Sequence, residues 1–255
     1  MLKVVLVLAI LLVPTAAGGV ATPKPPAWDG QVQVHGTFRA MFHEGKVGSV
    51  VSLDSLTPNP TLYGVGALAD LAGEVTIVGG TAYLAYPVSP DSARTDTTAV
   101  SAAGATLLVT ADVPAWRAVR IDTSIVFEAM NDRIMALAAA AGMDVDTRFP
   151  FRLTGEFEDL EWHVVDGRLL KAGGTSHEDH LAASTRKSMA RATGSLIGFY
   201  SNHDERVFTH MGSYTHVHCA LDRPLASGHV DHVTIPAGAL IWFPVGVDSA
   251  DRKPR

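Results

Sequence analysis

One short hairpin signal constrains the fold of this 255-residue chain more than any other feature of its sequence. Residues 74–78 and 81–86 are rich in apolar and β-branched side chains, and the dipeptide Gly79-Gly80 separates them. Two consecutive glycines can adopt the positive φ angles of a two-residue turn between antiparallel strands. The segment therefore predicts a β-hairpin.

Apolar runs of strand length recur along the rest of the chain. We predict further strands at residues 32–35, 62–68, 106–113, 149–153, 157–165, 195–200, 215–221 and 230–235. Residues 37–44 and 48–56 are ambiguous and compatible with short helices. Because strands and helices do not alternate regularly, the predicted fold class is α+β, with strand-rich mixed sheets and two sizeable helices.

The two sizeable helices are predicted at residues 124–141 and 177–192. In the first, four apolar side chains recur at helical spacing: Val126, Met130, Ile134 and Leu137. Gly142 follows and can end this helix in a left-handed conformation. The second helix is bounded by Gly194.

The composition excludes several classes of protein. With 47% hydrophobic residues, the chain can bury a sizeable core and is not intrinsically disordered. Its net charge is −6 and no basic stripe is present, which argues against a nucleic-acid partner. Cys219 is the only cysteine, so no internal disulfide can form, and we interpret it as a small core residue.

The N-terminus has the three-part pattern of a secretion signal. Lys3 precedes an unbroken apolar run, and small residues then offer a cleavage site, so residues 1–21 are predicted to be a signal peptide. The run is about half of the roughly 20 residues that span a bilayer; an uncleaved anchor is the alternative. Residues 22–30 predict an extended leader, and the mature protein is expected to be secreted or periplasmic, with no membrane span.

A metal site is predicted near the C-terminal end. On a strand, His216 and His218 point to the same face, and the short loop at 223–228 lets the next strand return antiparallel with His229 at its start. Three neutral imidazoles with an open fourth position suit a catalytic zinc ion, and other first-row divalent metals are compatible. The alternative is that these are surface or hydrogen-bonded histidines.

Several segments together resemble the α-acetolactate decarboxylase family. In that family a His-x-His pair, ten intervening residues and a third histidine after a glycine form the metal site, as at 216–229 here. Residues 64–74, 151–157 and 194–200 also resemble family segments in the same order. The resemblance spans residues 38–240 and implies one unit at 31–255, with a sheet half at about 31–115 and a metal-binding half with its site on a β-hairpin at about 116–255.

The resemblance implies a function and the residues that perform it. The function is a metal-dependent lyase, with Zn²⁺ as the expected cofactor, that decarboxylates a small 2-hydroxy-3-keto acid such as 2-acetolactate to acetoin and CO₂; a homodimer is compatible. Glu74 matches the glutamate that lines the metal pocket and handles protons. His163 falls, by ungapped matching from Gly155, where the family has a catalytic arginine; if that alignment has slipped, Arg152 or Arg168 takes the cationic role.

Two departures from the family keep a second function open. An imidazole at His163 lacks the permanent charge and the two-pronged geometry with which arginine holds a carboxylate. The family also supplies a glutamate from a C-terminal tail, whereas the last acidic residue here is Asp251. The alternative is a metal-binding protein on the same scaffold with a different or lost catalytic activity.

Five other histidines are predicted to lie outside the site. His177 and His180 are expected to be exposed on the second helix. His203 and His210 are expected to face solvent from the loop before the metal strand, and a lid is the alternative. His232 lies three residues after His229, so on a strand it should face the other way.

Overall fold

The computed structural model describes residues 26–98, 100–170 and 177–246. The predicted signal peptide, Asp251 and part of the predicted leader lie outside these residues. Within the described ranges the helices are α1 (Phe38–Glu44), α2 (Met130–Ala140) and α3 (His177–Ala182). The strands are β1 (Gln33–His35), β2 (Val51–Ser52), β3 (Leu62–Leu68), β4 (Glu74–Val78), β5 (Thr81–Ser89), β6 (Ser92–Asp96), β7 (Gly104–Asp112), β8 (Trp116–Arg120), β9 (Phe149–Val165), β10 (Ser184–Tyr200), β11 (Thr215–Asp222), β12 (Leu225–Thr234) and β13 (Leu240–Pro244).

The first sheet is built around the predicted hairpin. Its strand order is β1-β7-β3-β4-β5-β6, with β2 also paired to β7. Gly79 and Gly80 have φ angles of 55° and 78°, and Val78 pairs with Thr81 across the turn. The hairpin prediction is confirmed, because only glycine adopts two successive positive φ angles without steric cost.

The second sheet contains a closed ring of strands. Its order is β10-β11-β12-β9-β13-β8, and β10 also pairs with β9, so β9, β10, β11 and β12 form a cycle of antiparallel neighbours. Strands β9 and β10 are 17 residues long and pair along their whole length, from Ser184 opposite Val165 to Tyr200 opposite Phe149. The α+β prediction is confirmed: the described residues are strand-rich with few helices.

The predicted helix at 177–192 is wrong over most of its length. Helix α3 ends at Ala182 and β10 begins at Ser184. Local preference for helix in this segment is worth only tenths of a kcal/mol per residue. Pairing along β9 offers a hydrogen-bonded ladder to every residue, which outweighs that preference. The strands predicted at 149–153 and 157–165 are likewise one continuous strand.

The predicted helix at 124–141 and the predicted loop at 223–228 need smaller corrections. Helix α2 begins at Met130 after a short 3₁₀ turn, and it buries Met130 and Ile134 but leaves Val126 exposed. Gly142 ends it with φ 78°, as expected. Strand β12 begins at Leu225, so the connection is a tight turn and His229 lies inside the strand rather than at its start.

The two sheets share one hydrophobic core. Val65, Leu107 and Val109 of the first sheet cluster with side chains of the second, such as Phe151 and Phe199. Each fully buried side chain of this kind contributes about 1.5–3 kcal/mol. Strand β4 packs against β11 and β12, so a polar side chain on the inner face of β4 reaches the second sheet. Over the ranges described, no helix has the length and apolar character needed to cross a membrane.

Candidate metal centre

Three histidines meet at the junction of β11 and β12. His216 and His218 lie two residues apart on β11 and are 2% and 0% exposed, and His229 is the cross-strand partner of His218. One nitrogen of each ring lies within 4.8 Å of the others. Gly228 allows β12 to lie close to β9, because a Cβ at this position would collide with the carbonyl oxygen of His163 on β9.

The environment keeps these imidazoles neutral. Burial lowers the pKa of His216 to about 3, and burial with the neighbouring imidazoles lowers the pKa values of His218 and His229 well below their usual range. A neutral ring offers a lone pair to a metal. Nitrogen ligands of a tetrahedral zinc ion lie about 3.3 Å apart at Zn–N distances of about 2.0–2.1 Å. The donor set therefore fits one divalent ion, with His216 Nε2 and His218 Nε2 already 3.1 Å apart.

A threonine on the first sheet orients one of the three rings. Thr76 Oγ1 lies 3.1 Å from His218 Nδ1 and 2.7 Å from Ser227 Oγ, and Thr76 and Ser227 are both buried. With Nδ1–H donating to Thr76, the Nε2 lone pair of His218 faces the cluster. Thr76 was not predicted as a site residue, although a position two residues after Glu74 on a strand shares its face.

Glu74 lies beside the cluster, where the resemblance put it. Its Oε2 is 3.9 Å from His218 Nε2, and its Oε1 accepts a hydrogen bond from the Val165 backbone N–H at 3.3 Å. The side chain is 5% exposed, and this burial raises the pKa of Glu74 to about 7. A carboxyl group of that kind can hold and release a proton near neutral pH.

His163 lies between two carboxylates. Its Nδ1–H donates to Asp231 Oδ1 at 2.8 Å, and its Nε2 is 4.0 Å from Glu74 Oε1. Burial alone would lower the pKa of His163, but the hydrogen bond to Asp231 and the charges of Asp231 and Glu74 outweigh it and raise the pKa. Its ring centroid is 4.9 Å from that of His229. Asp231 was not predicted as a site residue; its signal in the sequence is its position two residues after His229.

Several of these groups line one pocket together with aromatic side chains. Glu74, His163, His216 and His229 line it with Phe38, Met41 and Phe42 of α1, and the Phe38 ring lies 5.4 Å from that of His216. His232 does not line this pocket and instead contacts Phe127. Arg152 packs over the Trp242 ring and Arg168 pairs with Asp166, so neither alternative cation lines it. Cys219 is buried outside the histidine cluster, and burial raises the pKa of its thiol.

Two histidines that we expected to be exposed also line the pocket. His180 is 5% exposed and its ring centroid lies 4.2 Å from that of Phe42. His210 is half-buried, stacked on Phe38 at 4.5 Å and 5.3 Å from the ring of His229. The chain after β10 packs against α1, and no local sequence pattern predicts this packing. His203 is exposed as expected, and the side chain of His177 lies outside the described residues.

Comparison with known proteins identifies the family. The sequence profile of alpha-acetolactate decarboxylase matches residues 34–244, which is most of the chain. The chain is a member of the alpha-acetolactate decarboxylase family. The resemblance stated from the sequence is thereby confirmed. No curated protein sequence matches this family member.

Solved structures share the fold of this acetolactate decarboxylase family member. Acetolactate decarboxylase from Bacillus subtilis subspecies spizizenii matches with a TM-score of 0.68 and 14% identity, covering 85% of this chain and 87% of that one. The enzyme from Bacillus subtilis strain 168 matches with a TM-score of 0.65 and 14% identity over 88% and 93% of the two chains. A Staphylococcus aureus protein of unknown function, similar to alpha-acetolactate decarboxylase, matches with a TM-score of 0.63 and 14% identity, covering 85% of this chain and 86% of that one.

Proposed function

We propose that this protein is a metal-dependent carboxy-lyase that converts 2-acetolactate, or a close 2-hydroxy-3-keto acid, to acetoin and CO₂. One observation carries the proposal: two members of a cluster of three neutral histidines, His216 and His229, line one pocket together with a buried glutamate and an ion-paired histidine. The donor set favours Zn²⁺ as the metal. Membership of the family supplies the reaction type.

The reaction breaks one C–C bond and needs a place for its electrons. The carboxylate leaves as CO₂, the bonding pair stays on the hydroxyl-bearing carbon as an enediolate, and one proton added to that carbon gives acetoin. A divalent ion, when bound, supplies an electron-pair acceptor for the substrate's carbonyl and hydroxyl oxygens. Residues of this chain must orient the substrate, exclude water and supply the proton.

Glu74 and His163 are suited to the proton transfer. Glu74 holds a proton near neutral pH because of its burial, and it faces the histidine cluster from β4. His163 Nε2 lies 4.0 Å from Glu74 Oε1, so a small movement lets it return a proton to Glu74 after turnover. Asp231 keeps the imidazole in that orientation. Phe38 and Phe42 limit the access of bulk water, which would otherwise compete as a proton donor.

The test is CO₂ and acetoin release from 2-acetolactate by purified protein, with metal content measured by elemental analysis. Glu74→Gln keeps the shape but removes the proton, so kcat should fall about 10²–10⁴-fold with metal content retained. Glu161→Gln, an exposed glutamate on β9, is the matched control. Full activity in Glu74→Gln would remove Glu74 from the mechanism.

A second candidate function is supported by one feature of the pocket. Its described lining residues include no arginine or lysine, and ungapped matching from Gly155 puts His163 where the resemblance implies an arginine. A metal-binding protein with a different or lost activity would not need an arginine or lysine in this pocket. Stoichiometric metal in a wild-type protein that releases no CO₂ from acetolactate would favour it.

Export is a further part of the proposed function. Residues 1–21 carry the charge, apolar run and small residues of a cleavable signal. N-terminal sequencing of protein recovered from the medium or periplasm should begin near residue 22. Recovery of full-length protein in the membrane fraction would instead indicate an uncleaved anchor.

A further inference from the structure

A row of paired residues crosses the second sheet from the histidine cluster to an arginine. Directly paired residues of antiparallel strands point to the same face of a sheet. His218 pairs with His229, and His229 pairs with His163. His163 pairs in turn with Arg186 of β10. Because neighbouring strands lie about 4.8 Å apart, this row places the backbone of Arg186 about 10 Å along the sheet from that of His229.

The chain neighbours of Arg186 fix the direction of its side chain. Thr185 Oγ1 and Lys187 Nζ donate hydrogen bonds of 2.7 Å and 3.0 Å to backbone carbonyl oxygens where β5 turns into β6. Thr185 is also buried. Successive residues of a strand point to opposite faces, so Arg186 points away from that turn, to the face that carries His163.

The first residues of β10 lie next to the wall of the pocket. His163 and Val165 of β9 both line the pocket, and Val165 pairs with Ser184 as His163 pairs with Arg186. Leu181, just before β10, lines it as well. Arg186 therefore lies at the rim of the pocket, between lining residues of its own chain segment and of the neighbouring strand.

The charge of Arg186 acts on the pocket and is available to a ligand. Burial lowers the pKa of His163, nearby carboxylates outweigh that effect and raise the pKa, and the charge of Arg186 opposes this rise. Arg186 is exposed, and within the described ranges no ion pair includes it. A guanidinium in this state can bind a planar carboxylate through two parallel hydrogen bonds.

We propose that Arg186 binds the carboxylate of the substrate at the rim of the pocket and thereby selects anionic 2-hydroxy-3-keto acids. This assignment rests on the proposed function. The arginine side chain is long enough to extend back along the row, past His163, toward a substrate at the histidine cluster. Its charge also offsets the repulsion that Glu74 and Asp231 exert on an anion in the pocket.

The binding test compares two ligands that cannot react. The first is 2,3-dihydroxy-2-methylbutanoate, a reduced substrate that keeps the carboxylate; the second is 2,3-butanediol, which lacks it. In zinc-loaded protein, Arg186→Gln removes the charge, so affinity for the acid should fall about tenfold while affinity for the diol stays unchanged. Arg186→Lys keeps the charge but not the planar fork and should lose less affinity. Added salt should narrow the difference between wild type and Arg186→Gln, because it screens an exposed charge.

Arg191→Gln is the matched control. Arg191 is exposed on the same strand, five residues further and so on the other face, and its loss changes the net charge equally. It should leave the affinity for the acid unchanged. An equal loss of affinity in Arg191→Gln would assign the effect to net charge and overturn the inference. Equal affinity of wild type and Arg186→Gln for the acid overturns it as well.

A kinetic test separates this inference from the proposed function. With 2-acetolactate, Arg186→Gln should raise KM about tenfold and change kcat less, because the contact exists before the bond breaks. Elemental analysis must show the same metal content in each variant compared. Weaker binding of both the acid and the diol at full metal content would indicate a general disturbance of the pocket and count against the inference. A wild type that binds the acid through Arg186 but releases no CO₂ contradicts the proposed function and leaves the carboxylate site standing.

Discussion

At the cluster of His216, His218 and His229, one threonine hydroxyl contacts a buried imidazole. Thr76 Oγ1 contacts His218 Nδ1 from the other sheet and is itself held by Ser227. Replacing a side chain that orients a metal ligand typically lowers metal affinity about 10–100-fold. The pair Thr76–His218 thus links the position of β4 to the geometry of the donors.

Replacing Thr76 should therefore weaken metal binding without removing any ligand. Thr76→Val removes the hydroxyl beside His218 Nδ1 in a buried site, and zinc affinity should fall about 10–100-fold. Thr76→Ser keeps the oxygen and should retain most of the affinity. Competition with a chromophoric chelator measures both, and Thr193→Val, an exposed strand threonine, is the control. Equal affinity in Thr76→Val and wild type would show that the hydroxyl has no orienting role.

Some site residues were accessible from the sequence for a simple geometric reason. His216, His218 and Glu74 were found through strand periodicity and family spacing, and the same period of two would have found Thr76 and Asp231. His180 and His210 were not accessible in this way. They enter the pocket only because α3 and the chain after β10 pack against α1, and single-sequence patterns do not specify such packing.

At the level of elements, an ion pair between a partly exposed arginine and a buried aspartate holds the connection between β10 and β11, which carries His210. Arg148 donates two hydrogen bonds to Asp204, each 2.6 Å long, and Ser201 donates a third. Burial alone would raise the pKa of Asp204, but the hydrogen bonds from Arg148 and Ser201 and the charge of Arg148 outweigh it and lower the pKa. This carboxylate fixes the start of the segment that carries His210.

The lowered pKa of Asp204 predicts how the contribution of this ion pair to the free energy of unfolding depends on pH. An aspartate whose pKa is lower in the folded than in the unfolded state stabilises the fold at pH values above the unfolded pKa, about 3.9, and loses that effect as pH falls through the folded pKa. Asp204→Asn should lower the free energy of unfolding by about 1–3 kcal/mol at pH 7. We expect the lower part of this range, because Arg148 is partly exposed and solvent weakens its attraction to Asp204. Thermal melts of both proteins should converge below about pH 4. A constant difference in Tm down to pH 2 would show that ionisation of Asp204 is not the cause.

Local patterns predicted some elements and failed on others for one physical reason. The β4–β5 hairpin and the end of α2 each depend on glycines that lie within a few residues of the element they shape. Strand β10 depends on its partner β9, which is remote in sequence, and its Lys187 and Arg191 would be equally acceptable in a helix. Long-range pairing therefore determined the structure where local preference was weak.

For the molecule as a whole, metal binding and folding should be coupled, because the ligands lie on two strands of a closed ring and are braced by the first sheet. An ion that binds the folded but not the unfolded chain at 100 times its Kd adds about 2.7 kcal/mol of stability, or about 5–10 °C in Tm for a chain of this size. Double replacement His216→Ala and His218→Ala removes two of three ligands and should abolish both stoichiometric zinc and this shift. The exposed pair His43→Ala and His203→Ala should keep both. If the ligand-depleted variant retains full zinc by elemental analysis, the ion lies elsewhere, and the neutral histidine cluster at β11 and β12 is only part of a polar core.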